Sequence, residues 1–136
     1  MSKISVLMSV YKKENPEYLR ASLESILVQT RTADEILLIE DGPLTQELYQ
    51  VVAEYQKKCD YLHVHAMEQN VQLGRALAKG VELCQYDLIA RMDTDDIAMP
   101  HRLEKEGAYM EAHPEVDVVG GAIREFNDEG TIDLSL

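Results

Sequence analysis

The chain has 136 residues, 46% of them apolar, which suits one domain with a core of its own. Asp plus Glu number 25 against 13 Lys plus Arg, a formal net charge of −12, and no basic stripe stands out against it. That argues against nucleic acid as a partner, and any anionic small ligand would need local cations to hold it. Strand-like and helix-like segments then alternate. Ile4 to Val10 reads as a strand. Asn15-Pro16 marks a helix start, with Asn as N-cap and Pro at the first helical position, and Leu19, Leu23, Ile26 and Leu27 follow at helical spacing. Ile36 to Ile39 is apolar throughout, as expected of a strand covered on both faces, and ends in Glu40-Asp41-Gly42. Leu48, Val51, Val52 and Tyr55 mark a second helix. Leu62 to Ala66 is a short strand with His63 and His65 on the face opposite Leu62 and Val64. Leu77, Val81 and Cys84 give a third helix, and Leu88 to Met92 a fourth strand. Pro100 is expected to open a helix that runs to about Ala112, carrying Leu103 and Met110. Val116 to Val119 reads as a fifth strand. Ala122 to Phe126 and Thr131 to Leu134 flank a hairpin signal at Asn127-Asp128-Glu129-Gly130.

This alternation implies parallel strands joined by right-handed crossovers, hence a three-layer α/β/α fold with a mostly parallel sheet. Cys59 and Cys84 show no metal or redox spacing and read as reduced thiols. Met1-Ser2-Lys3 leads straight into a strand, unlike a signal peptide, and the longest aliphatic run, Ile36 to Ile39, is far too short to span a bilayer. The expected location is cytoplasmic.

The chemistry concentrates where strands end. The fourth strand stops in Asp93-Thr94-Asp95-Asp96, three carboxylates in four residues. Carboxylates packed so closely repel one another unless a cation neutralises them, and hard cations such as Mg²⁺ or Mn²⁺ commonly do so while sharing a substrate phosphate. The plainer alternative is an Asp-rich turn that caps the next helix. Ser9-Val10-Tyr11 and Glu40-Asp41-Gly42 end two other strands, and all three ends belong on one rim of a parallel sheet, where α/β proteins bind ligands. Asn70 to Arg75 precedes the third helix. There Gly74 would permit close approach of the backbone, and Arg75 would pair with phosphate. His63 with His65 is a weaker metal pair, read instead as a satisfied strand face.

Taken in order, Ile4 to Tyr11, Ser22 to Thr30, Glu40-Asp41-Gly42, Asn70 to Arg75 and Asp93-Thr94-Asp95-Asp96 resemble the family 2 glycosyltransferases of GT-A fold, a Rossmann-like nucleotide-diphospho-sugar transferase type. The resemblance lies nearest to bacterial members that build capsule and exopolysaccharide, and it covers nearly the whole chain. It implies a nucleotide-sugar donor, usually UDP-linked, a divalent Mn²⁺ or Mg²⁺ at a DxD motif, and a saccharide or lipid-linked saccharide acceptor. By this resemblance Ser9, Val10 and Tyr11 line the nucleoside pocket, and Asp41 accepts from the uracil N–H. Arg75 sits near base or diphosphate, Asp93 approaches ribose or metal, and Asp95 ligates the metal, with Asp96 as a further carboxylate or a cap. The family often has Pro at the position of Ser9, Asn at that of Lys12 and Asp at that of Glu40.

The family's reaction is an inverting, hexosyl-type transfer by single displacement, with an acidic general base from a later part of the fold. Nothing after Asp96 presents a convincing base, since Glu125, Asp128 and Glu129 lie in or beside the expected hairpin. The base is therefore expected beyond Leu136, the last residue of this sequence. Residues 1–136 read as the donor-binding part of a longer enzyme, cytoplasmic and, at full length, peripheral at the inner face of the membrane. Three other readings stand beside it. A nucleotidyltransferase would want a Gly-rich loop after the first strand, where Tyr11-Lys12-Lys13-Glu14-Asn15 has no Gly. A receiver-type signalling module would put an acidic pair there. A donor-binding module without turnover is the third.

Overall fold

A computed structural model of the protein describes residues 3–113, 123–126 and 132–135. Strands β1 (Ile4–Val10), β2 (Glu35–Glu40), β3 (Leu62–Ala66) and β4 (Leu88–Arg91) alternate with helices α1 (Pro16–Leu27), α2 (Gln46–Lys58), α3 (Leu73–Leu83) and α4 (Arg102–Ala112). The four strands form one parallel sheet in the order β3-β2-β1-β4. Two further strands, β5 (Ile123–Phe126) and β6 (Ile132–Ser135), pair antiparallel with each other, as a hairpin requires. The expected strand Val116 to Val119, the turn Asn127 to Gly130 and the terminal Leu136, past which the general base is expected, lie outside the described residues.

The three layers follow from which strand residues face which helix. Val6, Met8 and Val10 of β1 and Ile36 and Leu38 of β2 are buried with Leu19, Leu23 and Ile26 of α1, Leu48, Val51 and Val52 of α2, and Leu103 of α4. The alternate residues Leu7, Leu37 and Ile39 pack on the other face with Ala76 of α3. Both faces of β2 are thus covered, which is why its sequence is apolar without alternation. Gly80 lets α3 lie close to the sheet, since a Cβ there would run into the Leu7 side chain.

Local signals set the helix starts. Pro16 occupies the first turn of α1, and the Asn15 Oδ1 accepts from Glu17 N at 2.8 Å. Thr45 Oγ1 accepts from Leu48 N at 3.3 Å to cap α2. The fourth helix starts later than its proline suggested, at Arg102 with His101 as N-cap. The Pro100 carbonyl instead accepts from Thr30 N at 2.9 Å, which ties that residue to the end of α1.

The chain runs outward from β1 to β2 to β3, then returns to the other side of β1 to form β4. The gap between the ends of β1 and β4 is therefore the topological switch point, where open α/β sheets bind ligands. A receiver-type module would place β3 beside β1; here β1 lies between β2 and β4.

Candidate functional site

Parallel pairing puts the carboxyl ends of β1, β2 and β4 on one rim, and direct hydrogen bonds join their loops there. Asp41 N donates to the Val10 carbonyl at 2.8 Å, and Thr94 Oγ1 donates to the Ser9 carbonyl at 3.4 Å. Thr94 is buried, and its single hydroxyl proton is shared with the nearer acceptor, Glu14 Oε2 at 2.7 Å, linking the loop after β4 to the loop after β1. Three expected site segments are thus brought together. Val10 sends its side chain into the core and meets the rim through its main chain. Tyr11 is exposed beside it.

Asp41 is buried at 4% exposure, and its carboxylate organises the loop before α3. Its Oδ1 accepts from Val71 N at 2.7 Å and its Oδ2 from Asn70 Nδ2 at 3.3 Å. The Asn70 amide also donates to the Asp41 carbonyl at 3.2 Å. The loop lies so close that a Cβ on Gly42 would stand 2.6 Å from Asn70 N, and Gly42 has φ +87°. Gly42, and not Gly74, is therefore the glycine this rim depends on. A Cβ at Gly74 would meet nothing within 4 Å. Gln72, just before α3, is a non-glycine residue at φ +74°, a strained conformation of the kind that clusters at binding sites. Arg75 is exposed on the first turn of α3, and its side chain has no hydrogen-bond or ion-pair partner among the described residues. Glu40 is buried, and burial raises its carboxyl above the ordinary range.

The acidic loop is a tight turn, closed by Asp96 N donating to the Asp93 carbonyl at 3.2 Å. Asp93, Asp95 and Asp96 are exposed, and each offers a carboxylate oxygen within 4.8 Å of the others. Arg91 Nη2 lies 3.3 Å from Asp93 Oδ1. The Asp96 carboxyl is raised above its ordinary range, first by burial and then by Asp93 and Asp95, with Arg102 and Arg91 opposing. Three carboxylates beside Arg91 and Arg102 concentrate negative charge here, and an all-oxygen donor set this close fits a hard divalent cation. The helix-cap alternative fails: the N-cap of α4 is His101, and neither Asp95 nor Asp96 holds that position. The cluster is the one such group among the described residues, and His63 and His65 are not part of it. Sequence reasoning missed how this loop is held. Buried polar side chains in and just after α1 bond it at several points, and their only signal was Ser22 and Ser25 falling among the apolar positions of that helix, with Gln29 just beyond its end.

The family profile for glycosyl transferase family 2 matches residues 5–136. The chain belongs to that family. It is 51% identical over 124 residues to an uncharacterized glycosyltransferase of Haemophilus influenzae, covering 91% of this chain and 46% of that protein. It is 47% identical over 126 residues to the amylovoran biosynthesis glycosyltransferase AmsE of Erwinia amylovora, covering 93% and 47%. A third relative, the UDP-Gal:alpha-D-GlcNAc-diphosphoundecaprenol beta-1,3-galactosyltransferase of Escherichia coli, is 35% identical over 136 residues, covering 96% and 48%. The chain thus spans about half the length of the curated relatives it matches. Among solved structures, S. aureus TarS 1–349 in complex with UDP-GlcNAc superposes with a TM-score of 0.72 at 23% identity, over 82% of this chain and 32% of that one. The mannosyltransferase PcManGT from Pyrobaculum calidifontis, in complex with GDP-Man and Mn²⁺, gives 0.67 at 15% identity, over 79% and 31%. The fold is that of the GT-A glycosyltransferases.

Proposed function

We propose that residues 1–136 carry the donor-binding part of an inverting, metal-dependent glycosyltransferase of bacterial polysaccharide biosynthesis. Its donor is a UDP-sugar and its acceptor a saccharide or lipid-linked saccharide. The observation that carries this reading is the Asp93, Asp95 and Asp96 cluster at the switch point beside β1. Family membership, the names of the exopolysaccharide and diphosphoundecaprenol relatives and the UDP-GlcNAc and Mn²⁺ complexes of structural neighbours support it.

Asp95, with Asp93 and Asp96, would hold Mn²⁺ or Mg²⁺. When bound, that cation supplies neutralising charge for a departing nucleoside diphosphate. The chain's own residues do the rest of the donor binding. Ser9, Val10 and Tyr11 border the nucleoside, Asp41 keeps carboxylate lone pairs for the uracil N–H beyond those used by Asn70 and Val71, and Arg75 is available to a phosphate oxygen. The acceptor-activating base is assigned to none of these residues; in this proposal it comes from chain beyond Leu136, in keeping with relatives about twice as long. Among the described residues no helix is long and apolar enough to cross a membrane. A cytoplasmic, membrane-peripheral location for the full-length enzyme is part of the same proposal.

Calorimetry of UDP binding, with Mn²⁺ and with EDTA, tests the reading. Metal-dependent binding is expected. Equal affinity in the two conditions would remove the metal from the site.

A further inference from the structure

The loop from β4 to α4 makes few main-chain hydrogen bonds of its own: Asp96 N to the Asp93 carbonyl and Arg102 N to the Met99 carbonyl. Thr94 ties it to Ser9 and Glu14, and the rest of its hold comes from α1 and the residues just after that helix. Ser22 Oγ donates to the Asp93 carbonyl at 3.2 Å. Ser25 Oγ accepts from Ala98 N at 2.9 Å and donates to the Ser22 carbonyl at 2.7 Å. Gln29 Nε2 donates to the Met99 carbonyl at 2.7 Å, while its Oε1 accepts from Leu103 N at 3.0 Å, in the first turn of α4. Ser22, Ser25 and Gln29 are exposed by 0%, 6% and 6%; Ser22 and Ser25 lie three residues apart on one side of α1, and Gln29 follows just past its C-cap, Val28.

Buried polar side chains are costly unless bonded, and each of these three bonds the β4–α4 loop or the start of α4, with Ser25 Oγ and Gln29 Nε2 also bonding the Ser22 and Ser25 carbonyls of α1. Asp95 and Asp96 lie between the anchors at Asp93 and Ala98. Held at Thr94 alone, the loop would leave its three mutually repelling carboxylates free to move apart. We propose that Ser22, Ser25 and Gln29 are positioning residues, a polar stripe that holds the acidic loop in the one conformation in which its carboxylates share a cation. The proposal rests on the donor-site reading above. It differs from a purely structural role in one respect. Loss of the stripe lowers metal affinity in protein that remains folded, although no ligand has been removed.

The test compares Ser25→Ala with Ile26→Val, a neighbouring core change on the same helix, and with the milder Ser22→Ala should Ser25→Ala fail to fold. Two quantities are read on the 136-residue chain well below its melting temperature: Mn²⁺ affinity in the presence of UDP by electron paramagnetic resonance, and amide hydrogen exchange over residues 94–99. The expected result is Mn²⁺ affinity weakened fivefold or more in the serine variant and within twofold of wild type in Ile26→Val, with exchange at 94–99 accelerated only in the former. Wild-type affinity in the folded serine variant, or equal loss in Ile26→Val, would overturn the proposal. So would unchanged exchange. A wild-type chain that binds no Mn²⁺ would overturn the donor-site reading instead, and the exchange comparison would still show whether the stripe holds the loop.

Discussion

Replacing Asp95 by alanine should have effects of opposite sign with and without metal. Its carboxylate oxygen lies within 4.8 Å of oxygens on Asp93 and Asp96. At that separation each pair of unit charges repels by about 0.9 kcal/mol in water, and salt near physiological strength cuts this to roughly half. Removing Asp95 deletes two such pairs, about 1 kcal/mol. The unfolded chain keeps part of that repulsion because the residues are sequence neighbours, so the net gain in metal-free stability is about 0.5 kcal/mol. For a chain of this length that corresponds to a Tm higher by roughly 2 °C. In wild type, Mn²⁺ plus UDP at about 100 times Kd should add roughly 2.7 kcal/mol, or about 10 °C. Asp95→Ala should lose most of that shift. Thermal melts of both proteins, each in EDTA and in Mn²⁺ with UDP, provide the four values. An alanine variant destabilised in EDTA and still shifted upward by Mn²⁺ and UDP would show that Asp95 shapes the loop and does not bind the cation.

Asp41→Asn keeps an acceptor for Val71 N but turns an NH₂ toward the Asn70 amide, so stability should fall by about 1–2 kcal/mol and UDP affinity by a further ~1–3 kcal/mol. Asn70→Ala removes the same loop contact yet leaves the carboxylate. Its Tm should drop while UDP binding by calorimetry is largely kept, and equal loss in both variants would confine Asp41 to holding the loop. Gly42→Ala combines a φ of +87° with a Cβ 2.6 Å from a backbone nitrogen, so a loss of at least about 2 kcal/mol in denaturant melts is expected, and a neutral result would contradict the close loop packing. Burial raises the Glu40 carboxyl, so the folded state binds its proton more readily than the unfolded chain, and ionised Glu40 destabilises the fold at neutral pH. Glu40→Gln should therefore raise Tm at pH 7, with the advantage shrinking as pH falls through the folded carboxyl's range; a pH-independent difference would refute that cause.

Much of this protein can be read along the chain because burial and capping are local in their signals. The unbroken apolar run Ile36 to Ile39 is a strand covered on both faces, and Asn15-Pro16 starts a helix with the predicted cap. The acidic run Asp93 to Asp96 ends a strand, and the alternation of elements requires the strand ends to share a rim. Tertiary structure decided what no local pattern contains. Pro100 lies two residues before its helix because its carbonyl is bonded to Thr30, seventy positions away. Gly42 is the constrained glycine because a loop some thirty residues later crosses it, and Asp41 is a loop anchor for the same reason. Ser22 and Ser25 look like polar residues misplaced on an apolar helix face, and Gln29 like an ordinary residue past the helix end, until the sheet order brings β4, and with it the acidic loop, beside β1 and under α1. Periodicity records only whether a residue is covered. Which segment covers it depends on crossovers and strand order, and those are set by the packing of the whole chain.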